Sequence, residues 1–281
     1  MTSVVVGIPA HDEEDHIGPC LEAVLRAATR AVDAPGLVRR VHVVVAAHRC
    51  TDATARRATA LLERATGDPR VTGEVLVDDV STTVGQVRDR ALRHGAQRLQ
   101  RLQSTQATQR TQPDALWLLS TDADSRVPDG WVEDLLAIAR AEGASVVTGL
   151  VDLVAWEASE AERAAYERRV AEGLHPGGHW HAYGANLAVR QDVYAQVGGF
   201  PHRAVGEDVG LVQALRRAGA QVVSTTTVRV ATSARAPGRA RGGLGSLLAD
   251  LARTHVADGG AARETGDHDA RARAAGRKEH P

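Results

Sequence analysis

Short valine-rich runs alternate with helix-like segments along most of this chain, and the alternation restricts the fold more than any other feature. The first run spans residues 4–9, and the segment after it carries apolar residues at helical spacing from Ile17 to Ala28. A second run over 41–45 precedes another apolar stripe from Ala55 to Ala65. Apolar strands that alternate with helices are typical of a mostly parallel sheet covered on both faces. The sequence therefore predicts an α/β fold.

The later elements follow the same pattern. We predict strands over 73–77, 115–120, 144–154, 186–189 and 221–230, and helices over 84–93, 131–138, 157–173, 192–197, 209–218 and 244–256. Residues 97–112 are rich in Gln, Thr and Arg and show little periodicity, which predicts a polar surface insertion. The tail over 258–281 has a composition typical of disorder.

Composition excludes several classes of protein. A chain with 43% hydrophobic and 25% charged residues can bury one substantial core or two small ones. Its net charge of -1 gives no electrostatic signature of nucleic-acid binding. It has no signal-peptide pattern and no run of about 20 apolar residues that could span a membrane. Cys20 and Cys50 give no disulfide framework. We therefore expect a cytoplasmic protein, with contact at the inner membrane face left open.

Two aspartates follow the apolar run 115–120. Asp122 and Asp124 would lie at the carboxyl edge of the sheet, where open α/β sheets bind ligands. A hard cation such as Mg²⁺ or Mn²⁺ is held by one or two carboxylates and shares its other sites with substrate phosphates. The same aspartates could instead stabilise the turn or cap the helix that begins near Asp129. The pair by itself leaves both interpretations open.

Several motifs in the same order resemble those of the family-2 glycosyltransferases, which have the GT-A fold. The resemblance covers roughly residues 4–235 and is carried by the segments Val6–Glu14, Val43–Thr54, Thr121–Asp124, Gly184–Arg190, Val197–Phe200 and Gly206–Asp208. It implies a GT-A-like, Rossmann-type sandwich with a mostly parallel central sheet. The implied organisation is a single domain over 1–235, then a basic Gly-rich loop and helix over 236–257, then the tail.

The resemblance also implies an activity and roles for the acidic residues. The implied reaction transfers a sugar from a nucleoside-diphosphate sugar to an acceptor hydroxyl, inverts the anomeric centre and uses Mg²⁺ or Mn²⁺. Asp124, with help from Asp122, would hold the metal. Asp208 would act as the general base, and Glu207 would contact the acceptor beside it. The resemblance identifies neither the acceptor nor the oligomeric state.

Donor contacts are expected along one edge of the sheet. The expected residues are Pro9, Ala10, Glu13, His48, Arg49, Asp52, Arg88 and Asp122. The chain departs from the family at the end of the second strand, where Ala46-Ala47 replace the acidic pair that usually contacts the nucleobase. His48 or Arg49 could contact base or phosphate instead, since arginine offers a bidentate fork to phosphate. A solvated loop explains these two residues equally well.

Acceptor contacts are expected from a Gly-rich and His-rich segment. The expected residues are Trp180, His181, Tyr183 and Asn186, with plain loop packing as the alternative. The histidine spacing there matches no standard zinc pattern. An aromatic face such as that of Trp180 suits either a sugar or an apolar acceptor. Further along, Arg235, Arg239 and Arg241 could close over a pyrophosphate or form a solvated linker.

Two other functions stay open. A nucleotidyltransferase also uses a metal-bound diphosphate, but it would carry a basic Gly-rich signature near the first strand, and none is found. A catalytically silent nucleotide-sugar-binding protein would keep the sheet and lose turnover. The presence of Asp122, Asp124 and Asp208 argues against that second alternative.

Overall fold

The computed structural model describes residues 2–65, 67–105, 115–203, 205–235 and 243–253, without the side chains of 103–105. The chain divides into two compact units. The larger unit contains Met1–Ala155 and Gly173–Ser233, and the smaller contains Trp156–Glu172 and Ala234–Pro281. No helix in these described ranges is long and apolar enough to cross a membrane.

Strands and helices alternate along the larger unit. Its strands are β1 (Thr2–Ala10), β2 (Val38–His48), β3 (Val71–Asp78), β4 (Ala115–Ser120), β5 (Ser125–Arg126), β6 (Val146–Val154), β7 (Leu174–His175), β8 (Gly178–His179), β9 (Leu187–Arg190) and β10 (Val222–Ser233). Its helices are α1 (Ile17–Asp33), α2 (Thr54–Arg64), α3 (Val84–Thr105), α4 (Trp131–Ala141), α6 (Gln191–Gln196) and α7 (Glu207–Arg217).

The smaller unit contains α5 (Glu160–Ala171) and α8, a helix over 244–253. Ser159 and Glu162 form a reciprocal capping box at the start of α5, so two otherwise unpaired backbone N–H groups have side-chain acceptors. Tyr166 packs edge-on against Trp156, with ring centroids 5.5 Å apart. This ring contact packs α5 against the segment that precedes it in the smaller unit.

The central sheet has the strand order β3-β2-β1-β4-β9-β6-β10-β5. Strands β3, β2, β1 and β4 are parallel, β9 is antiparallel to both of its neighbours, and β6 pairs parallel with β10. This mostly parallel sheet with flanking helices confirms the predicted GT-A-like, Rossmann-type α/β class. The strand order reverses between β1 and β4, and ligands of open α/β sheets bind at the carboxyl ends of strands beside such a reversal.

Helices pack on the sheet through the stripes that the sequence pattern predicts. α1 buries Ile17, Cys20, Leu21, Val24, Ala27, Ala28 and Ala31. Complete burial of each large aliphatic side chain contributes about 1.5–3 kcal/mol. α3 approaches β1 closely, because a Cβ at Gly7 would lie 2.7 Å from a methyl of Leu92 and a Cβ at Gly95 would lie 2.5 Å from Val5. The glycines therefore let α3 carry its first turns to the carboxyl edge of the sheet.

The structure corrects the predicted boundaries at two places. α3 continues to Thr105 instead of ending near Arg93, so residues 97–105 are helical and the predicted polar insertion is wrong over that range. Leu99 anchors this extension, since it is 1% exposed. α7 begins at Glu207 rather than at Val209, so the acidic pair forms the first turn of the helix. Residues 106–112, Arg239, Arg241 and the predicted tail lie outside the described residues.

Candidate functional site

The two aspartates of the predicted metal site lie where β4 ends. Thr121, next to Asp122, donates its backbone N–H to the carbonyl of Gly7 at 3.3 Å, which ties the turn to β1. Cys20 Sγ donates to the carbonyl of Asp122 at 3.3 Å. Asp124 lies against β10, whose Thr232 hydroxyl donates to Asp124 Oδ1 at 3.5 Å. The turn therefore holds both carboxylates at the carboxyl edge of the sheet, beside the reversal in strand order.

Arg88 occupies the centre of this edge. One guanidinium nitrogen donates to the Ser120 hydroxyl at 2.7 Å and to the carbonyl of Gly184 at 3.0 Å. Another donates to Asp122 Oδ1 at 2.8 Å. The side chain is 3% exposed, and its guanidinium carbon lies 5.5 Å from the centroid of the Phe200 ring. Arg88 was predicted to contact the donor; in the structure its guanidinium is buried and hydrogen-bonds to protein groups.

Glu207 and Asp208 approach Arg88 from the first turn of α7. A Glu207 oxygen lies 3.7 Å from the Arg88 guanidinium, and the glutamate side chain is 10% exposed. Asp208 Oδ2 accepts the backbone N–H of Gly184 at 3.0 Å, and its Oδ1 accepts that of Val209 at 2.7 Å. Gly184 therefore accepts a hydrogen bond from Arg88 through its carbonyl and donates one to Asp208 through its N–H.

Burial around Arg88 favours proton uptake by Glu207 and Asp208. Burial raises the pKa of Glu207, although the Arg88 charge opposes the shift. Burial likewise raises the pKa of Asp208, against the hydrogen bonds from Val209 and Gly184. Burial disfavours the charged form of Arg88 too, but the carboxylates of Asp122 and Glu207 outweigh it and raise the arginine pKa. One cation thus faces several partly desolvated carboxyl groups.

The Gly-Gly turn near Phe200 is pinned to α3, which explains how the aromatic ring reaches Arg88. Tyr194 donates its hydroxyl to Asp89 Oδ1 at 2.6 Å, and the backbone N–H of Phe200 donates to the same hydroxyl at 3.2 Å. A Cβ at Gly199 would lie 2.2 Å from Asp89 Oδ1. Sequence reasoning missed Asp89 and Tyr194, because they are 105 positions apart and carry no local motif.

On the other side of the reversal, two loops are joined by reciprocal hydrogen bonds. Asp52 accepts the backbone N–H groups of Glu14 at 3.0 Å and of Thr54 at 2.9 Å. The Thr54 hydroxyl in turn accepts the backbone N–H of Glu13 at 2.6 Å. Glu13 is buried, and its carboxylate lies 3.2 Å from His16. Asp52 and Glu13, both predicted as donor contacts, therefore connect the loop after β1 to the start of α2.

Among the described residues, one group of three potential ligands lies close enough to hold a metal ion. It consists of Asp12, Cys50 and Asp52, whose ligand atoms lie within 4.8 Å of one another. Asp12 accepts the backbone N–H of Thr51 at 2.7 Å, and Cys50 Sγ donates to the carbonyl of Ala10 at 3.5 Å. A thiol suits soft metals rather than Mg²⁺ or Mn²⁺. The hard oxygen pair of Asp122 and Asp124 fits those two cations better.

His48 is the last residue of β2, Arg49 follows it, and both side chains bind backbone carbonyls at the end of β3. His48 Nδ1 lies 2.9 Å from the carbonyl of Asp78, and Arg49 donates to the carbonyl of Asp79 at 3.3 Å. The carboxylate of Asp78 is buried and lies 3.5 Å from Arg90. Hydrogen bonds from Ser81 and Val80, together with Arg90, outweigh burial and lower the pKa of Asp78. Sequence reasoning missed Asp78, whose signal was an aspartate at the end of a valine-rich strand.

Pro9 and Ala10 occupy the carboxyl end of β1, where they pair with Ala46 and Ala47 of β2. The structure thus places small side chains where these two strands end. Together with His48 and Arg49 they lie at or just after the carboxyl ends of β1 and β2, on the side of β1 away from β4.

The predicted acceptor residues separate into two groups. Trp180 is 65% exposed, and the rings of His181 and Tyr183 stack with centroids 5.7 Å apart. Asn186 is fully buried; its amide donates to the carbonyls of Leu150 and Val228 and accepts from the Trp131 indole. Asn186 thus joins β6, β10 and α4 and presents no surface to an acceptor.

No family model and no curated protein match this sequence. Among solved structures, residues 1–349 of S. aureus TarS in complex with UDP-GlcNAc superpose with a TM-score of 0.56 and 14% identity, covering 86% of this chain and 61% of that one. The mannosyltransferase PcManGT from Pyrobaculum calidifontis, in complex with GDP-Man and Mn²⁺, gives a TM-score of 0.56 and 17% identity over 84% and 58%. This chain spans about three fifths of the length of each. The likeness establishes a shared fold.

Proposed function

We propose that this chain is a family-2-like glycosyltransferase that transfers a sugar from a nucleoside-diphosphate sugar to an acceptor hydroxyl with inversion. One observation carries the proposal: buried Arg88 joins Asp122 at the end of β4 to the acid pair that begins α7. It thereby connects a carboxylate pair suited to a metal-bound diphosphate with a carboxylate suited to proton removal. Solved structures with the same fold were determined with UDP-GlcNAc and with GDP-Man and Mn²⁺, which supports a nucleotide-sugar donor.

Asp124 and Asp122 are the residues that would hold Mg²⁺ or Mn²⁺. Their oxygen ligands suit a hard cation, and the Asp122 side chain is 36% exposed although one of its oxygens is bound to Arg88. A bound cation would neutralise charge on the departing diphosphate. Arg88 orients Asp122 and adds positive charge behind it. The proposed location of the nucleoside is at the carboxyl ends of β1 and β2, beside Pro9, Ala10, His48 and Arg49.

Asp208 is the proposed general base. It would take the proton of the acceptor hydroxyl while that oxygen bonds to the anomeric carbon and the bond from that carbon to the diphosphate oxygen breaks. The electron pair of the broken bond leaves with the diphosphate, so a single displacement inverts the anomeric centre. Burial raises the pKa of Asp208, and a base whose pKa is closer to neutrality removes a proton more effectively. The backbone N–H of Gly184 fixes the direction of the carboxylate.

Residues 1–235 are the proposed transferase domain. Glu207 is held by Arg88 and begins the same turn, so we assign it to the shape and charge of the acceptor side. His181 and Tyr183 form a stacked pair in the segment that leads to Gly184, and we place them near the acceptor.

The decisive experiment measures release of nucleoside diphosphate from UDP-, GDP- and dTDP-sugars in the presence of Mn²⁺. A transferase is expected to hydrolyse its donor slowly without acceptor. A nucleotidyltransferase would instead release pyrophosphate from a nucleoside triphosphate, and a silent binding protein would bind the donor without turnover. No release and no binding with any of these donors would refute the proposal.

Asp208→Asn tests the base, because it keeps the shape and removes the proton acceptor. Turnover is expected to fall by about 10²- to 10⁴-fold, with little change in binding of the nucleoside diphosphate. The control is Asp129→Asn, since Asp129 is a surface carboxylate paired with Arg26. The control should keep normal turnover. Near-normal turnover of Asp208→Asn would remove Asp208 from the mechanism.

A further inference from the structure

The outward face of α7 forms an exposed stripe that leads away from Asp208. Val209, Gln213 and Arg216 are all exposed. They are separated by four and three residues and therefore share one face of the helix. The stripe begins beside the proposed base and ends two turns later.

The chain segment 180–184 follows the same helix in the opposite direction. At one end, Gly184 donates its N–H to Asp208 at 3.0 Å. At the other, the guanidinium carbon of Arg216 lies 5.6 Å from the centroid of the Trp180 ring. A helix rises about 1.5 Å per residue, so the interval from Asp208 to Arg216 covers about 12 Å. The indole of Trp180 therefore contacts the side chain at the far end of the stripe, about two helical turns along α7 from Asp208.

Trp180 is exposed on a firmly anchored support. The preceding hairpin of β7 and β8 rests on β10, since a Cβ at Gly178 would lie 2.1 Å from the carbonyl of Ser224. Buried His179 adds a second anchor, because one ring nitrogen lies 3.1 Å from the carbonyl of Thr225. The ring of His175 packs against the indole with centroids 4.4 Å apart. The indole therefore has a fixed position while 65% of the residue remains accessible.

We infer that the α7 stripe binds the acceptor and that the acceptor is a glycan chain, with one sugar at Asp208 and a later sugar stacked on Trp180. The inference rests on the proposed function and specifies its acceptor. About 12 Å of helix separates Asp208 from Arg216, the residue that contacts the indole, so the indole would contact a sugar beyond the one that reacts.

The chemistry along the stripe favours a glycan over a lipid tail. A pyranose has an apolar face that suits an indole and hydroxyls that need hydrogen-bond partners. Arg216 and His175 contact the indole, and Gln213 lies on the same face of α7, so polar side chains are present along the stripe. A lipid tail would require a continuous apolar surface, and Val209 is the single apolar residue of this stripe.

Acceptors of graded length test the inference. Glucose, N-acetylglucosamine and mannose oligosaccharides, from the monosaccharide to the tetrasaccharide, would be assayed with the donor that supports hydrolysis. We expect KM to fall with length in the wild type. Trp180→Ala should raise KM for the longest acceptor by about five- to tenfold and leave the monosaccharide KM within about twofold. Trp180→Phe should restore most of the length preference, and circular dichroism and the melting temperature would verify folding.

The matched control is Leu102→Ala, which truncates an exposed apolar side chain on α3. It should retain the length preference. Equal KM values for all lengths in the wild type, or an unchanged length preference in Trp180→Ala, would overturn the inference. Transfer to a detergent-dispersed polyprenyl phosphate, without transfer to any saccharide, would also overturn it. If the wild type shows neither donor hydrolysis nor nucleoside-diphosphate binding, that result would instead overturn the proposed function itself.

Discussion

Arg88→Met should destabilise the protein strongly, because it leaves buried carboxylates without their cation. Methionine retains much of the apolar volume and removes the charge with its three hydrogen bonds to Ser120, Gly184 and Asp122. At 3.7 Å and an effective dielectric constant of about 20, the attraction between Arg88 and Glu207 is about 4 kcal/mol. Removal of one partner from a buried ion pair typically costs about 3–5 kcal/mol. We therefore expect the free energy of unfolding to fall by about 3–5 kcal/mol at neutral pH.

The pH dependence of this loss separates electrostatics from packing. The pKa of Glu207 is already raised above its ordinary value of 4.5 in the wild type, mainly by burial. Without the arginine its pKa should rise further. A raised folded-state pKa means that stability is retained below the unfolded pKa and lost as pH rises through the folded pKa. The deficit of Arg88→Met should therefore shrink as the pH falls from 8 towards 5.

Urea unfolding followed by circular dichroism at several pH values measures this deficit. The double variant Arg88→Met/Glu207→Gln should recover part of the loss, because the buried negative charge disappears together with the cation. A deficit below about 1 kcal/mol, or one that does not change with pH, would refute the description of Arg88 as the cation that stabilises these buried carboxylates.

Other measurements test separate parts of the structure. Asp124→Asn, or EDTA with the wild type, should abolish most donor turnover while the melting temperature of the variant changes little; full activity in EDTA would refute a role for the metal. Burial lowers the pKa of His42 from 6.5, against the opposing contact with Glu74. Unfolded chains then take up a proton that folded ones do not, so stability should decrease as pH falls below about 6.5. His42→Gln should show a shallower decrease in urea titrations. Leu99→Ala should cost about 2–5 kcal/mol if α3 is packed beyond Arg93, whereas a loss under about 0.5 kcal/mol would contradict the longer helix.

Strand positions were predictable because buried parallel strands have continuous apolar runs. The runs at 4–9, 41–45 and 115–120 each lie inside an observed strand, and Asp122 and Asp124 follow the third run as predicted. The end of α3 was harder to locate. Beyond Arg93 the buried apolar residues are Ala96 and Leu99, Leu102 is exposed, and the residues between them are mostly polar, so the apolar pattern there is too short to define a period.

The partners of individual site residues could not be read from the sequence. Arg88 binds Ser120, 32 positions away, and the carbonyl of Gly184, 96 positions away. A sequence shows that an arginine is present but not which folded surface surrounds it. Asn186 shows the same limit, because its position suggested an acceptor contact while tertiary packing buries its amide between β6 and β10. Motif order predicts the region of the candidate site, whereas the contacts of each side chain there depend on the tertiary fold.

Gly184 links Arg88 to Asp208 through its own backbone. Its carbonyl binds Arg88, its N–H binds Asp208, and a Cβ there would lie 2.6 Å from the Arg88 guanidinium. A ligand that moves Asp122 and Arg88 would therefore act on the same residue backbone that holds the Asp208 carboxylate. Linkage requires that any factor by which the first ligand changes the affinity for the second equals the factor by which the second changes the affinity for the first. Any such coupling between a ligand at Asp122 and a ligand at Asp208 would pass through the backbone of Gly184.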